Sequence, residues 1–150
     1  MKLLFVEDDA RTGYAYEEAL RLRWPEVQIT RSFTAEAALQ AMAVESFDLI
    51  LTDLKLPGLD GFSVLIAARW IAPDVPVIVM TAYGDQRVEA QVRRLSGYAV
   101  LHKPVEPEYF WSVIGRALAW REQRQDAPAP SVTLRLKPVA HRIGPANDPR

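Results

Sequence analysis

Asp53 closes the apolar run Phe47-Asp48-Leu49-Ile50-Leu51-Thr52, so a carboxylate stands where a buried strand would reach the surface. A second run, Lys2-Leu3-Leu4-Phe5-Val6, ends in Glu7-Asp8-Asp9, and a third, Val75-Pro76-Val77-Ile78-Val79-Met80, ends in Thr81. A short fourth, Tyr98-Ala99-Val100-Leu101, leads to Lys103. If these strands run parallel, Asp8, Asp9, Asp53, Thr81 and Lys103 meet at one edge of the sheet. Carboxylates brought together repel, and a hard divalent cation with oxygen ligands relieves that repulsion. An acidic cluster after one strand reads as a solvated helix start; Asp53 at the end of another strand makes it a candidate metal site.

Asp53 is the candidate nucleophile, because a carboxylate can attack phosphorus to give an aspartyl phosphate. A bound metal would neutralise the attacking and developing charges. Thr81 can donate its hydroxyl to a phosphoryl oxygen, Lys103 can pair with another, and Ala82 leaves the space beside Thr81 open. In the loop Lys55-Leu56-Pro57-Gly58-Leu59-Asp60-Gly61, the Lys55 carbonyl is a candidate metal ligand. Pro57-Gly58 favours a tight turn and Asp60 can cap the next helix. Neither a P-loop nor a dinucleotide fingerprint is present.

Positioning these groups takes a scaffold of alternating elements. The short apolar runs suit buried strands of a parallel sheet, and Val27-Gln28-Ile29-Thr30-Arg31 suits a strand wetter on one face. Helical patterns fill the gaps: residues 10–23, stopped by Pro25; a segment capped by Thr34; Phe62 to Trp70, ending before Pro73; a charged segment over 85–95 with Val88, Val92 and Leu95 as its stripe; and a fifth from Pro107. Five repeats of strand and helix predict a doubly wound α/β domain, whose ligands bind beyond the carboxyl ends of the strands. The domain is placed at 1–124. Residues 125–150 hold five of the eleven prolines and read as a flexible tail, in which Val132-Thr133-Leu134-Arg135-Leu136 alternates as an edge strand would.

The absence of cysteine excludes disulfides, thiolate catalysis and cysteine-ligated zinc. A net charge of −1 gives no general attraction to nucleic acid or anionic lipid. With no secretory signal and no apolar run of membrane-crossing length, the expectation is a cytoplasmic protein that contacts neither membrane nor nucleic acid.

Taken together, Glu7-Asp8-Asp9, Asp53 with Leu56-Pro57-Gly58-Leu59-Asp60-Gly61, Met80-Thr81-Ala82 and Lys103-Pro104 resemble the receiver domain of two-component response regulators. The resemblance covers about residues 2–122, and Met80-Thr81-Ala82-Tyr83-Gly84-Asp85 is closest in wording to nitrogen-regulation and FixJ-like receivers. It implies a flavodoxin-like, five-stranded parallel sheet in order 2-1-3-4-5 with five helices. It implies Asp53 as phosphoacceptor and Thr81 and Lys103 as phosphoryl contacts. Asp9 would bind Mg²⁺ directly, Asp8 directly or through water, and the Lys55 carbonyl would complete the set; Mn²⁺ could substitute. The domain would catalyse its own phosphorylation and dephosphorylation without turning over an external metabolite. The donor would be a histidine kinase or histidine phosphotransfer protein.

The Lys103-Pro104 bond is often cis in this family. Val100 departs from the family's Tyr or Phe, so the usual threonine–aromatic switch is not expected, with Tyr98 and Tyr83 as substitutes. Output would pass to a downstream protein target, or to a homodimer, through the fourth helix, fifth strand and fifth helix. Val92, Arg93, Arg94, Tyr98, Trp111 and Arg116 are candidates for that surface, although an aromatic near a helix start, as Trp111 is, more commonly packs in the core. The alternatives are a receiver fragment of a larger transcriptional regulator, a phosphorylation-independent scaffold, and a haloacid-dehalogenase-like phosphatase, whose Asp-x-Asp after the first strand is absent.

Overall fold

The computed structural model describes residues 1–126. Strand and helix alternate along them: β1 (Lys2–Val6), α1 (Ala10–Arg23), β2 (Gln28–Ser32), α2 (Ala35–Val44), β3 (Leu49–Asp53), α3 (Gly61–Ile71), β4 (Val77–Thr81), α4 (Gln86–Arg94), β5 (Ala99–His102) and α5 (Pro107–Asp126). All neighbouring strands are parallel, in the order β2-β1-β3-β4-β5. The doubly wound fold and its strand order are as expected.

Every residue of β3 and β4 is buried, which is why those strands are unbroken apolar runs up to their polar ends. On the edge strand β2 only Ser32 is buried, which leaves this strand wetter than β3 and β4. Successive side chains point to opposite faces and divide the core in two. Leu4, Val6, Ile50, Val77 and Val79 pack with Ala38 of α2 and Val64, Leu65 and Ala68 of α3. Leu3, Phe5, Leu51, Ile78, Met80 and Leu101 pack with Leu20 of α1 and Phe110, Val113 and Ile114 of α5. Each of these Val, Leu, Ile, Met and Phe side chains contributes about 1.5–3 kcal/mol on leaving water, so the strands that carry the polar ends are firmly held.

Helix starts are fixed by side-chain caps. Asp9 accepts from Thr12 N at 2.6 Å, Asp60 from Ser63 N at 3.2 Å, and Asp85 from Arg87 N at 2.9 Å and Val88 N at 3.0 Å. These caps follow β1, β3 and β4, so three helices begin beside the same edge of the sheet.

α5 runs to Asp126, two residues past the expected domain end at 124. Arg124 in its last turn pairs with Asp74 and covers the Trp120 ring, with its guanidinium 4.8 Å from the ring centre. Gln125 and Asp126 thus belong to the helix. The rest of the segment expected as a tail, with the Val132–Leu136 run, lies outside the described residues. Among the described residues no helix is long and apolar enough to cross a membrane.

Candidate functional site

The parallel register places the ends of β1, β3, β4 and β5 side by side. Val6 aligns with Thr52, Asp53 with Met80, and Thr81 with His102. Beyond them opens a cavity of about 430 Å³. Asp8, Asp9, Asp53, Lys55, Thr81 and Lys103 all line it, so the structure brings together every site residue expected from sequence.

Asp53 is only 8% exposed, and both its oxygens are held. Lys103 Nζ donates to Oδ2 at 2.8 Å, and the Lys55 N–H donates to Oδ1 at 3.3 Å. The loop that carries Lys55 turns back into α3 at Gly61, whose N–H donates to Leu54 O at 2.8 Å. A Cβ on Gly61 would run into the Asp53 carbonyl and the Leu54 backbone, so only glycine allows α3 to start this close to the acid. Thr81 Oγ1 accepts from Tyr83 N at 3.1 Å, which leaves its own hydroxyl proton free to be donated. The Lys103–Pro104 bond is cis, as the resemblance implies.

Lys103 also donates to Glu7 Oε2, at 2.6 Å. Burial works against its charge, but the hydrogen bonds to Asp53 and Glu7 outweigh that and hold the ammonium above the usual lysine range. Burial pushes the Glu7 carboxyl above the usual glutamate range, against the opposing pull of Lys103 and of the Asp9 N–H; the charge of Asp53 pushes the same way as burial. Two acids, Glu7 and Asp53, therefore share one cation.

Glu7 is the residue that sequence reasoning passed over. Carboxylate oxygens of Glu7, Asp8 and Asp53 lie within 4.8 Å of one another. Asp9, expected as a direct ligand, is not one of this trio, and its Oδ1 caps α1. That cap, first through the Thr12 N–H, holds the Asp9 carboxyl below the usual aspartate range. The signal for Asp9 was available, since an acid directly before a helix is a capping residue. For Glu7 the signal was only its contiguity with Val6. The donor set is all oxygen, anionic and only partly neutralised by Lys103, which fits a hard divalent cation and not a soft one.

Two residues considered for an output surface serve the interior, in keeping with their alternative readings as packing residues. Val92 is 2% exposed within the α2–α3 core, and Trp111 donates Nε1 to Ala19 O at 2.7 Å, tying α5 to α1. Arg93, Arg94 and Arg116 are exposed. Tyr98 packs its ring 5.7 Å from that of Trp120. Of the two tyrosines considered in place of the aromatic missing at Val100, Tyr83 touches Thr81 only through its backbone N–H, and the residue is 79% exposed.

A family model described as the response regulator receiver domain matches residues 3–114. The chain is 38% identical over 117 residues to the response regulator protein FleR of Pseudomonas aeruginosa, an alignment covering 77% of this chain and 24% of that protein. It is 31% identical over 143 residues to the DNA-binding transcriptional regulator NtrC of Proteus hauseri, covering 94% and 29%. The chain thus spans about a quarter of the length of these relatives. Among solved structures, a CheY-like response regulator receiver domain protein of Methanospirillum hungatei superposes with a TM-score of 0.77 at 25% identity, over 82% of this chain and 97% of that one.

Proposed function

Because the chain belongs to the response regulator receiver domain family, we propose that Asp53 accepts a phosphoryl group from a phosphohistidine donor and that the modified domain signals by protein contact. The observation that carries this reading is the 2.8 Å contact between Lys103 Nζ and Asp53 Oδ2 in a cavity walled by Asp8, Asp9 and Thr81. The contact holds a carboxylate ready beside a cation that can follow the transferred charge.

In the transfer, an oxygen of Asp53 forms a bond to phosphorus as the bond from phosphorus to the donor's imidazole nitrogen breaks. The electron pair leaves on that nitrogen, which takes a proton from solvent. Lys103 exchanges one carboxylate partner for a phosphoryl oxygen, and Thr81 donates its hydroxyl to another. Attack of water on the same phosphorus later returns the Asp53 carboxylate and inorganic phosphate. Asp8, Asp53 and the Lys55 carbonyl would hold Mg²⁺, with Glu7 as the third acid of the cluster and Asp9 at the rim. Mg²⁺, when bound, offsets the negative charge that gathers on the phosphoryl oxygens.

The donor is a histidine kinase or a histidine phosphotransfer protein. The exposed arginines of α4 and α5 belong to the face offered to a downstream protein or to a second copy. Mg²⁺-dependent labelling by a small phosphodonor tests the reading. Asp53→Asn should abolish the label, and a variant that labels like the parent would defeat the assignment. A parent protein that binds its target without ever labelling would instead favour the scaffold. A second reading, in which the chain works as the receiver of a larger transcriptional regulator, is favoured by the greater length of FleR and NtrC.

A further inference from the structure

Arg31 lies on β2, away from the cavity, yet its guanidinium reaches over the edge of the sheet to the start of α1. Nη2 donates to the Glu7 carbonyl at 3.2 Å, and Nη1 pairs with Glu17 at 3.1 Å. The guanidinium carbon stands 5.0 Å from the centre of the Phe5 ring and 5.1 Å from that of Phe33. Room for it comes from Gly13, a buried glycine inside α1 where an added Cβ would run into both guanidinium nitrogens. Glycine is among the poorest residues for a helix interior. Its presence there has a local physical reason: it admits the arginine.

The peptide at Glu7 is consequently gripped by β2 from both sides. Its N–H donates to Ser32 O at 3.0 Å, while its carbonyl takes the Arg31 donor. From this anchored residue the carboxylate turns into the cavity, where Oε1 accepts the Asp9 N–H at 3.1 Å and Oε2 meets Lys103 at 2.6 Å. We propose that Arg31, seated in the space left by Gly13, is a positioning residue that sets the conformation of the Glu7-Asp8-Asp9 loop and so the disposition of the acids toward a cation. The cation arm rests on the reading of the cavity given above; the loop arm does not.

The structure also supplies a test that separates positioning from packing. At Gly13 the obstruction is the tip of a flexible side chain, so Gly13→Ala displaces the guanidinium without removing it and improves the helix. Mg²⁺ titration followed through the amide signals of Asp8 and Asp53, hydrogen exchange of the Asp9 amide in metal-free protein, and Tm are measured on the full chain. For Gly13→Ala we expect a Tm at or above that of the parent, an Mg²⁺ Kd raised about threefold or more, and Asp9 exchange faster by a similar factor. Arg31→Met should move both site readouts the same way with a lower Tm, and Arg31→Lys should recover part of the affinity.

Parent-like Kd and Asp9 exchange in both Gly13→Ala and Arg31→Met would overturn the proposal. So would losses confined to Arg31→Met that follow its Tm. A parent that does not bind Mg²⁺ would defeat the cation reading instead, and Asp9 exchange would still decide the role of Arg31.

Discussion

The ammonium of Lys103 stands 2.8 Å from the carboxylate of Asp53, a partner 50 positions away in sequence. The same ammonium holds Glu7, whose side chain is 3% exposed. Removing one partner of a buried ionic cluster leaves the others uncompensated and costs about 3–5 kcal/mol. Lys103→Met is therefore expected to lose about 3 kcal/mol of metal-free stability. Mg²⁺ should restore more of it than it adds to the parent, because a ligand that binds only the folded state stabilises that state. Urea titrations with and without Mg²⁺ check this; a loss of the same size in both would show that no cation replaces the missing charge.

Alkaline pH should act through the same residue. The pairing with Asp53 and Glu7 holds the folded pKa of Lys103 above its ordinary 10.5. Its contribution to stability is therefore fully present below that value and is lost as pH rises through the elevated folded one. In thermal melts from about pH 8 to about pH 12, the parent should lose more stability over the alkaline limb than Lys103→Met does. Parallel curves would contradict the linkage.

Gly61 offers a contrast with Gly13. A methyl group there meets the Asp53 carbonyl and the Leu54 backbone, neither of which can swing aside. Gly61→Ala should cost about 1–3 kcal/mol as overpacking and slow phosphodonor labelling about threefold or more through displacement of Asp53. Chemical denaturation and the rate of labelling measure the two effects. A stable variant with parent-like labelling would show that the α3 start is free to shift.

Trp111 should behave as a structural tie. Trp111→Phe keeps an aromatic side chain, smaller than the indole, and loses the 2.7 Å bond to Ala19 O. The expected cost is about 1–2 kcal/mol for the lost hydrogen bond and the smaller ring, with labelling unchanged. Denaturation and labelling together decide it: unaltered stability with reduced partner binding would return Trp111 to the output surface.

What the sequence disclosed follows from where burial is symmetric. β3 and β4 are covered on both faces, so Leu49-Ile50-Leu51 and Val77-Ile78-Val79-Met80 are continuous apolar runs, and the polar residues ending them stand out. Caps at Thr34 and Asp60 were legible because they act within three residues of themselves. Glu7 was harder. Its burial depends on a lysine 96 positions away, and no local pattern encodes that pairing. The Arg31–Gly13 arrangement was invisible for the same reason, since a glycine inside a helix reads only as a weak helix former. Val92 carried two expectations, as apolar stripe of α4 and as exposed contact, and tertiary packing satisfied the first.

At the other pole of the sheet, Asp48 receives the Lys2 N–H at 2.7 Å and pairs with Arg121, so the last turns of α5 are moored beside the N-terminal end of β3. Asp53 is at the opposite end of that strand. The last described turns of α5 accordingly lie at the pole of the sheet remote from Asp53. If Asp53 is phosphorylated as proposed, the change reaches the end of α5 only across the length of the sheet.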